Sequence, residues 1–130
     1  MRAQAIQQWL DRAAEDLAVA RLVLSEAHFS HACFLAQQCV EKSLNAFLLA
    51  RKNNYPRAHK LVDLIAQCIA IDPGFSRFRD SCIVIDQYYV PTRYPNGVPG
   101  SSAESLPGRQ EAEEAVAYAE SIMNFTLSQL

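Results

Sequence analysis

HACFLAQQCVEKSLNAFLL, residues 31–49, sets Cys33, Ala36, Val40, Leu44 and Phe47 at helical spacing, and Ala32, Cys39 and Leu48 widen the apolar stripe. The spacing predicts a deeply buried helix. Its start is expected at Ser30, whose hydroxyl can accept from a free backbone N–H of the first turn. Its end is marked by RKNNYP at 51–56, where Arg51 and Lys52 suit the negative helix terminus and Pro56 disfavours helix at Tyr55. Ser43, at the edge of the stripe, is expected to bond back to the carbonyl of Cys39 and so avoid burying an unpaired hydroxyl. Glu41 and Lys42 bring charge into the same helix, and each must reach solvent or find a partner. Structural pairing is the expected outcome.

Upstream, Ile6, Leu10, Ala13, Leu17, Ala20 and Leu24 alternate steps of four and three, which predicts an amphipathic helix over residues 3–25. Its other face carries Asp11, Arg12, Glu15, Asp16 and Arg21, with Arg12 and Asp16 spaced to pair across solvent. Downstream, Leu61, Leu64, Ile65 and Cys68 carry a third helix from His59 to Ala70. Asp72 and Pro73 read as the N-cap and first residue of a fourth, which Phe75, Phe78, Cys82, Ile85 and Tyr89 continue towards Pro91. Residues 91–108 hold four prolines and three glycines with no hydrophobic period. They predict a long surface loop, a setting in which side chains can serve binding without having to pack. Glu111, Glu113 and Glu114 open a last helix that buries Ala112, Val116, Ala119 and Ile122 or Met123.

The expected fold is therefore all-α, an up-and-down bundle of four to five antiparallel helices forming one domain over residues 1–130. Half the residues are hydrophobic and a fifth are charged, ordinary globular usage that excludes disorder. Every apolar run is broken too early to span a membrane, and MRAQAIQQWLDRAAEDL does not read as a secretion signal, so a cytoplasmic protein is expected. Cys33, Cys39, Cys68 and Cys82 lack C-x-x-C spacing and fall on helical stripes, which marks them as core thiols. A formal net charge of −2 means that any RNA contact must use a local basic patch. The glycines form no phosphate loop, and His28 and His31 have no Cys or Asp at metal-ligand spacing, so neither a cofactor nor a metal is expected. Trp9, Phe29 and Phe125 do not all fit one monomer core, which points to a homodimer.

Tyr88-Tyr89-Val90-Pro91-Thr92-Arg93-Tyr94-Pro95-Asn96, taken with HACFLAQQCVEKSLNAFLL, resembles the HEPN family of small prokaryotic helical proteins. WLDRAAEDLAVARLVL, the helix start at His59 with Leu61 and Leu64, and the late acidic helix with Glu111 and Glu113 extend the resemblance over nearly the whole chain. It implies a helical bundle, usually a homodimer, often paired with a nucleotidyltransferase-like protein as a toxin and antitoxin. It also implies metal-independent RNA cleavage in those members that carry an Arg and a His separated by four to six residues. The guanidinium would grip phosphate bidentately and the imidazole would move a proton near neutrality. Here Arg93 occupies the neighbourhood of the family's Arg, but Val98, Pro99 and Gly100 stand where the His belongs. The expectation is thus a protein more often binding than catalytic.

Arg93 with Tyr88, Tyr89, Thr92 and Tyr94 offers a phosphate grip, hydroxyls and aromatic faces, which is a candidate nucleotide or RNA surface. The plainer reading is that the tyrosines wedge the loop while Arg93 pairs with an acid such as Asp86. Lys42 and His59 complete the candidate set, because the free N–H groups of a helix start at His59 and Lys60 can hold an anion. His59 can equally cap that helix. The leading expectation is nucleotide or RNA binding beside a nucleotidyltransferase-like partner. The alternatives are a metal-independent endoribonuclease toxin using Arg93 with His59, and a purely structural partner protein.

Overall fold

The computed structural model describes residues 2–88 and 106–130. Within them lie five α-helices and one 3₁₀ segment: α1 (Arg2–Ser25), α2 (Phe29–Lys52), α3 (Leu61–Ile71), the 3₁₀ segment (Pro73–Phe78), α4 (Arg79–Asp86) and α5 (Arg109–Ser128). The chain is an all-α bundle, and none of the described helices is long and apolar enough to cross a membrane.

α2 is the central element, as its stripe predicts. Cys33, Ala36, Cys39, Val40, Leu44, Phe47 and Leu48 are all fully buried, and α1, α3 and α5 pack around them. α1 returns against α2 through a tight corner. Ala27 adopts a left-handed φ of 64° there, and the His28 N–H donates to the Val23 carbonyl at 2.8 Å. This closure consumes free carbonyls at the end of α1 and sets the start of α2 at Phe29, with His28 at the cap position. Ser30 therefore lies inside the helix and is not its N-cap. The opposite end behaves as predicted: Asn53 turns left-handed after Lys52 and its N–H reaches the Leu49 carbonyl.

α5 lies along α2 in the same direction, with Arg109 over the Phe29 ring at one end and Arg51 donating to the Gln129 carbonyl at 2.7 Å at the other. Phe125 on α5 meets Phe75 edge-on at 4.9 Å and Phe78 at 5.3 Å, while Phe75 leans on Phe47 at 4.6 Å. Phe29 and Phe125 thus both pack against this one core, so two of the three aromatics expected at a homodimer interface need no second copy to cover them. Asp72 caps the predicted position, its carboxylate accepting from the Gly74 N–H at 2.9 Å, but the first turn after Pro73 is 3₁₀ and becomes α-helical only at Arg79.

The buried hydroxyls are satisfied within their own helices. Ser43 donates to the Cys39 carbonyl and Thr126 to the Ile122 carbonyl, each at 2.8 Å. The four cysteines are buried and free, and burial pushes each thiol up to about 12. They are packing residues, as their spacing predicts.

Candidate functional site

The start of α3 does hold an anion, and the anion is internal. The two oxygens of Asp86, the last residue of α4, accept from the N–H groups of Leu61 at 2.8 Å and Val62 at 3.0 Å. These donors have no partner within the helix, so a carboxylate from the neighbouring element caps it against the positive helix end. His59 does not cap. Lys60 occupies the cap position with no side-chain bond, and both oxygens of Asp86 are committed to α3.

His59 instead faces α2. Its Nδ1 lies 3.6 Å from Oε1 of Glu41, and the imidazole is 69% exposed while the carboxylate is nearly buried. Gln37 ties this pair to the helix. Its amide nitrogen donates to the His59 carbonyl at 3.1 Å and to Glu41 at 3.3 Å, and its oxygen accepts from Gln38 at 2.6 Å. An imidazole oriented by a carboxylate is a unit that can accept and return a proton.

Lys42, the next residue, points towards α1, where its ammonium pairs with Asp16 at 2.5 Å. Pairing is the expected outcome for Lys42, but spacing along α1 assigns Asp16 to Arg12, and the fold does not. The long lysine side chain crosses the α1–α2 seam, where lower exposure leaves the attraction less screened by solvent. Arg12 is left exposed and makes no ion pair among the described residues.

Arg12 and Lys42 line one open groove of about 630 Å³, together with Ala5, Gln8 and Trp9 of α1, Leu49 of α2 and Tyr55 of the α2–α3 connection. Trp9 and Tyr55 meet edge to face, with centroids 5.2 Å apart and planes at 77°. The groove therefore joins two cations to two aromatic rings, a combination that can take phosphate oxygens and a base. Asn45, bracketed by Lys42 and Leu49 on the same face of α2, buries an Oδ1 that has no hydrogen-bond partner.

Of the other sequence candidates, Tyr88 is half-buried against the core. Its hydroxyl is pushed up by burial, then by the Cys33 thiol and the carboxylates of Glu111 and Glu114. Tyr89, Thr92, Arg93 and Tyr94 lie outside the described residues. The structure thus brings Lys42 together with Trp9, Arg12 and Tyr55, and His59 together with Glu41, on two different sides of α2. In the sequence, Trp9, Arg12 and Tyr55 read as an interface aromatic, a solvated charge and a helix stop. Their only signal there is that Trp9 and Arg12 share one helical face, which names no partner.

The profile of the HEPN domain matches residues 6–130. The chain belongs to the HEPN domain family. Solved structures agree with the fold. An archaeal HEPN homologue, ST0689, is 28% identical with a TM-score of 0.75, covering 95% of this chain and 96% of its own. TT1696 from Thermus thermophilus is 32% identical with a TM-score of 0.81, covering 96% and 98% respectively. A HEPN domain protein from Thermotoga maritima shares the fold at 24% identity and a TM-score of 0.74, covering 94% and 96%. No curated protein matches the chain. Both the groove and the His59–Glu41 pair fall essentially inside the HEPN match.

Proposed function

We propose that this HEPN chain is a cytoplasmic, homodimeric nucleotide- or RNA-binding protein that works with a nucleotidyltransferase-like partner in a toxin and antitoxin type of system. The observation that supports binding is the groove between α1 and α2, where Arg12 and Lys42 stand beside the Trp9–Tyr55 pair. Its volume falls within the range of small-ligand sites. Support for the partner and the system comes from the family resemblance. Trp9 is the chain's single tryptophan, so its fluorescence reports directly on the groove. Titration with AMP and with a short single-stranded RNA is expected to quench it to saturation. Arg12→Ala is expected to weaken binding by about tenfold, the scale of a lost charge-assisted phosphate contact. A saturable response to neither ligand would remove the groove as the binding site.

A second reading, metal-independent RNA cleavage, is favoured by the contact of His59 with Glu41. The test is RNA incubated with the purified chain in EDTA beside His59→Ala and Arg93→Ala. Loss of cleavage in both variants supports an enzyme, and an inert, folded wild type leaves the binding role.

A further inference from the structure

Gln37 sits on α2 with no exposed surface, yet its side chain is an amide. A buried amide is costly unless its donors and acceptor are met, and an apolar residue would fill the same space without that demand. Its bonds go to the His59–Glu41 pair and to its own helix. The amide nitrogen donates to the His59 carbonyl at 3.1 Å and to Oε1 of Glu41 at 3.3 Å, the same oxygen that lies 3.6 Å from Nδ1 of His59. The nearly buried carboxylate has His59 as its only ion-pair partner among the described residues, because the neighbouring Lys42 turns to Asp16.

The backbone that carries the imidazole is fixed on both sides of Lys60. Gln37 holds the carbonyl just before it, and Asp86 holds the N–H groups of Leu61 and Val62 just after it. What remains to be set is the rotation and the proton of the ring, and Glu41 faces both. A carboxylate beside Nδ1 attracts a proton to that atom and repels a lone pair there, which selects one of the two neutral tautomers. Nε2 makes no hydrogen bond among the described residues, and the ring is 69% exposed.

We infer that Gln37 is a positioning residue: by aligning Glu41 with His59 it keeps the imidazole protonated at Nδ1 and offers the Nε2 lone pair as the proton-accepting atom. The group served is an O–H of substrate or water. Its proton passes to Nε2, the Nδ1 proton stays in place, and the charge that the ring gains faces the Glu41 carboxylate. The use of Nε2 rests on the RNA-cleavage reading above, whereas the tautomer is a property of the folded chain alone.

The test reads the ring directly, by long-range proton–nitrogen correlation spectra of the uniformly labelled protein at about pH 9, well above the ordinary range of imidazoles. The chain has three histidines, and His59→Gln identifies the signals of His59. In wild type the Nδ1–H form of His59 is expected to outnumber the Nε2–H form by about threefold or more. In Gln37→Met that ratio is expected to fall by about threefold or more, which a role confined to packing would not cause. Thermal melts check the fold, and Glu41→Met, which removes the carboxylate itself, is expected to give the same shift should Gln37→Met be loosened. A dominant Nε2–H form in wild type, or an unchanged ratio in the folded variants, overturns the inference. RNA incubated in EDTA separates it from the cleavage reading. With an active wild type, Gln37→Met is expected to lower kcat by about tenfold at unchanged KM, and a loss confined to KM would overturn the role in proton transfer. A wild type that holds the Nδ1–H form but leaves RNA intact removes the cleavage reading and leaves Gln37 as the residue that positions His59.

Discussion

Asp86→Ala is the substitution with the largest consequence that the geometry allows to be worked out. It removes both oxygens that satisfy the first two donors of α3, Leu61 N–H at 2.8 Å and Val62 N–H at 3.0 Å. Leu61 is fully buried, so water cannot replace the carboxylate at that donor, whereas Val62 is partly open. An unsatisfied buried N–H costs about 1–3 kcal/mol and loss of a helix cap about 1 kcal/mol, which together give a loss of about 2–4 kcal/mol. For a chain of 130 residues the unfolding entropy converts this to a fall in melting temperature of about 7–15 °C. Thermal and urea unfolding followed by far-ultraviolet circular dichroism measure it, and a loss below about 0.5 kcal/mol would refute the capping role. Asp86→Asn adds a pH dependence. Burial pushes the Asp86 carboxyl above its ordinary 3.8, although the Leu61 and Val62 N–H groups pull the other way. A raised native value means that the protonation-linked part of the contribution of Asp86 is full below 3.8 and is lost as pH climbs through the native value, while its two hydrogen bonds to α3 remain. The neutral Asp86→Asn variant should therefore gain on wild type between acid and neutral pH, and the opposite trend would count against the dominance of burial.

Three further outcomes are expected. Native protein should leave all four cysteines unreactive towards a thiol-directed aromatic disulfide at pH 8, with labelling only on unfolding, because each thiol is buried and pushed up to about 12. Gly74→Ala should destabilise by about 1–3 kcal/mol in urea unfolding, since its Cβ would stand 2.8 Å from Cζ of Phe125 in the aromatic cluster. Asn45→Leu should be neutral or stabilising by about 1 kcal/mol in the same assay, because it replaces a buried acceptor that has no partner with an apolar group of similar volume.

The helices and their buried faces were legible because helical spacing is a local property. Six apolar residues at steps of four and three define α1 whatever packs on it, and the stripe of α2 from Cys33 to Phe47 predicts its complete burial. The Ser43 back-bond and the Asp72 cap were readable for the same reason, since each links residues within about one turn. The Ser30 cap failed because the boundary was set by the closure of the preceding helix through Ala27 and His28, not by the best capping residue nearby. The capping carboxylate of α3 was invisible because it arrives from Asp86, 25 positions along the chain.

The candidate site shows the same division more sharply. Lys42 and His59 could be singled out in the sequence as charged or titratable groups at a helix face and a helix start, but their partners could not. The chain's own order determines which residues share a helical face, because the helical repeat leaves little choice. It does not determine how far one helix slides or turns against another. That register, decided by how α1, α2 and the connection to α3 pack, pairs Asp16 with Lys42 and not with Arg12, brings Trp9 to Tyr55, and sets His59 against Glu41. Pairing across a seam depends on the complementary shapes of two surfaces, and only the folded bundle brings those surfaces together.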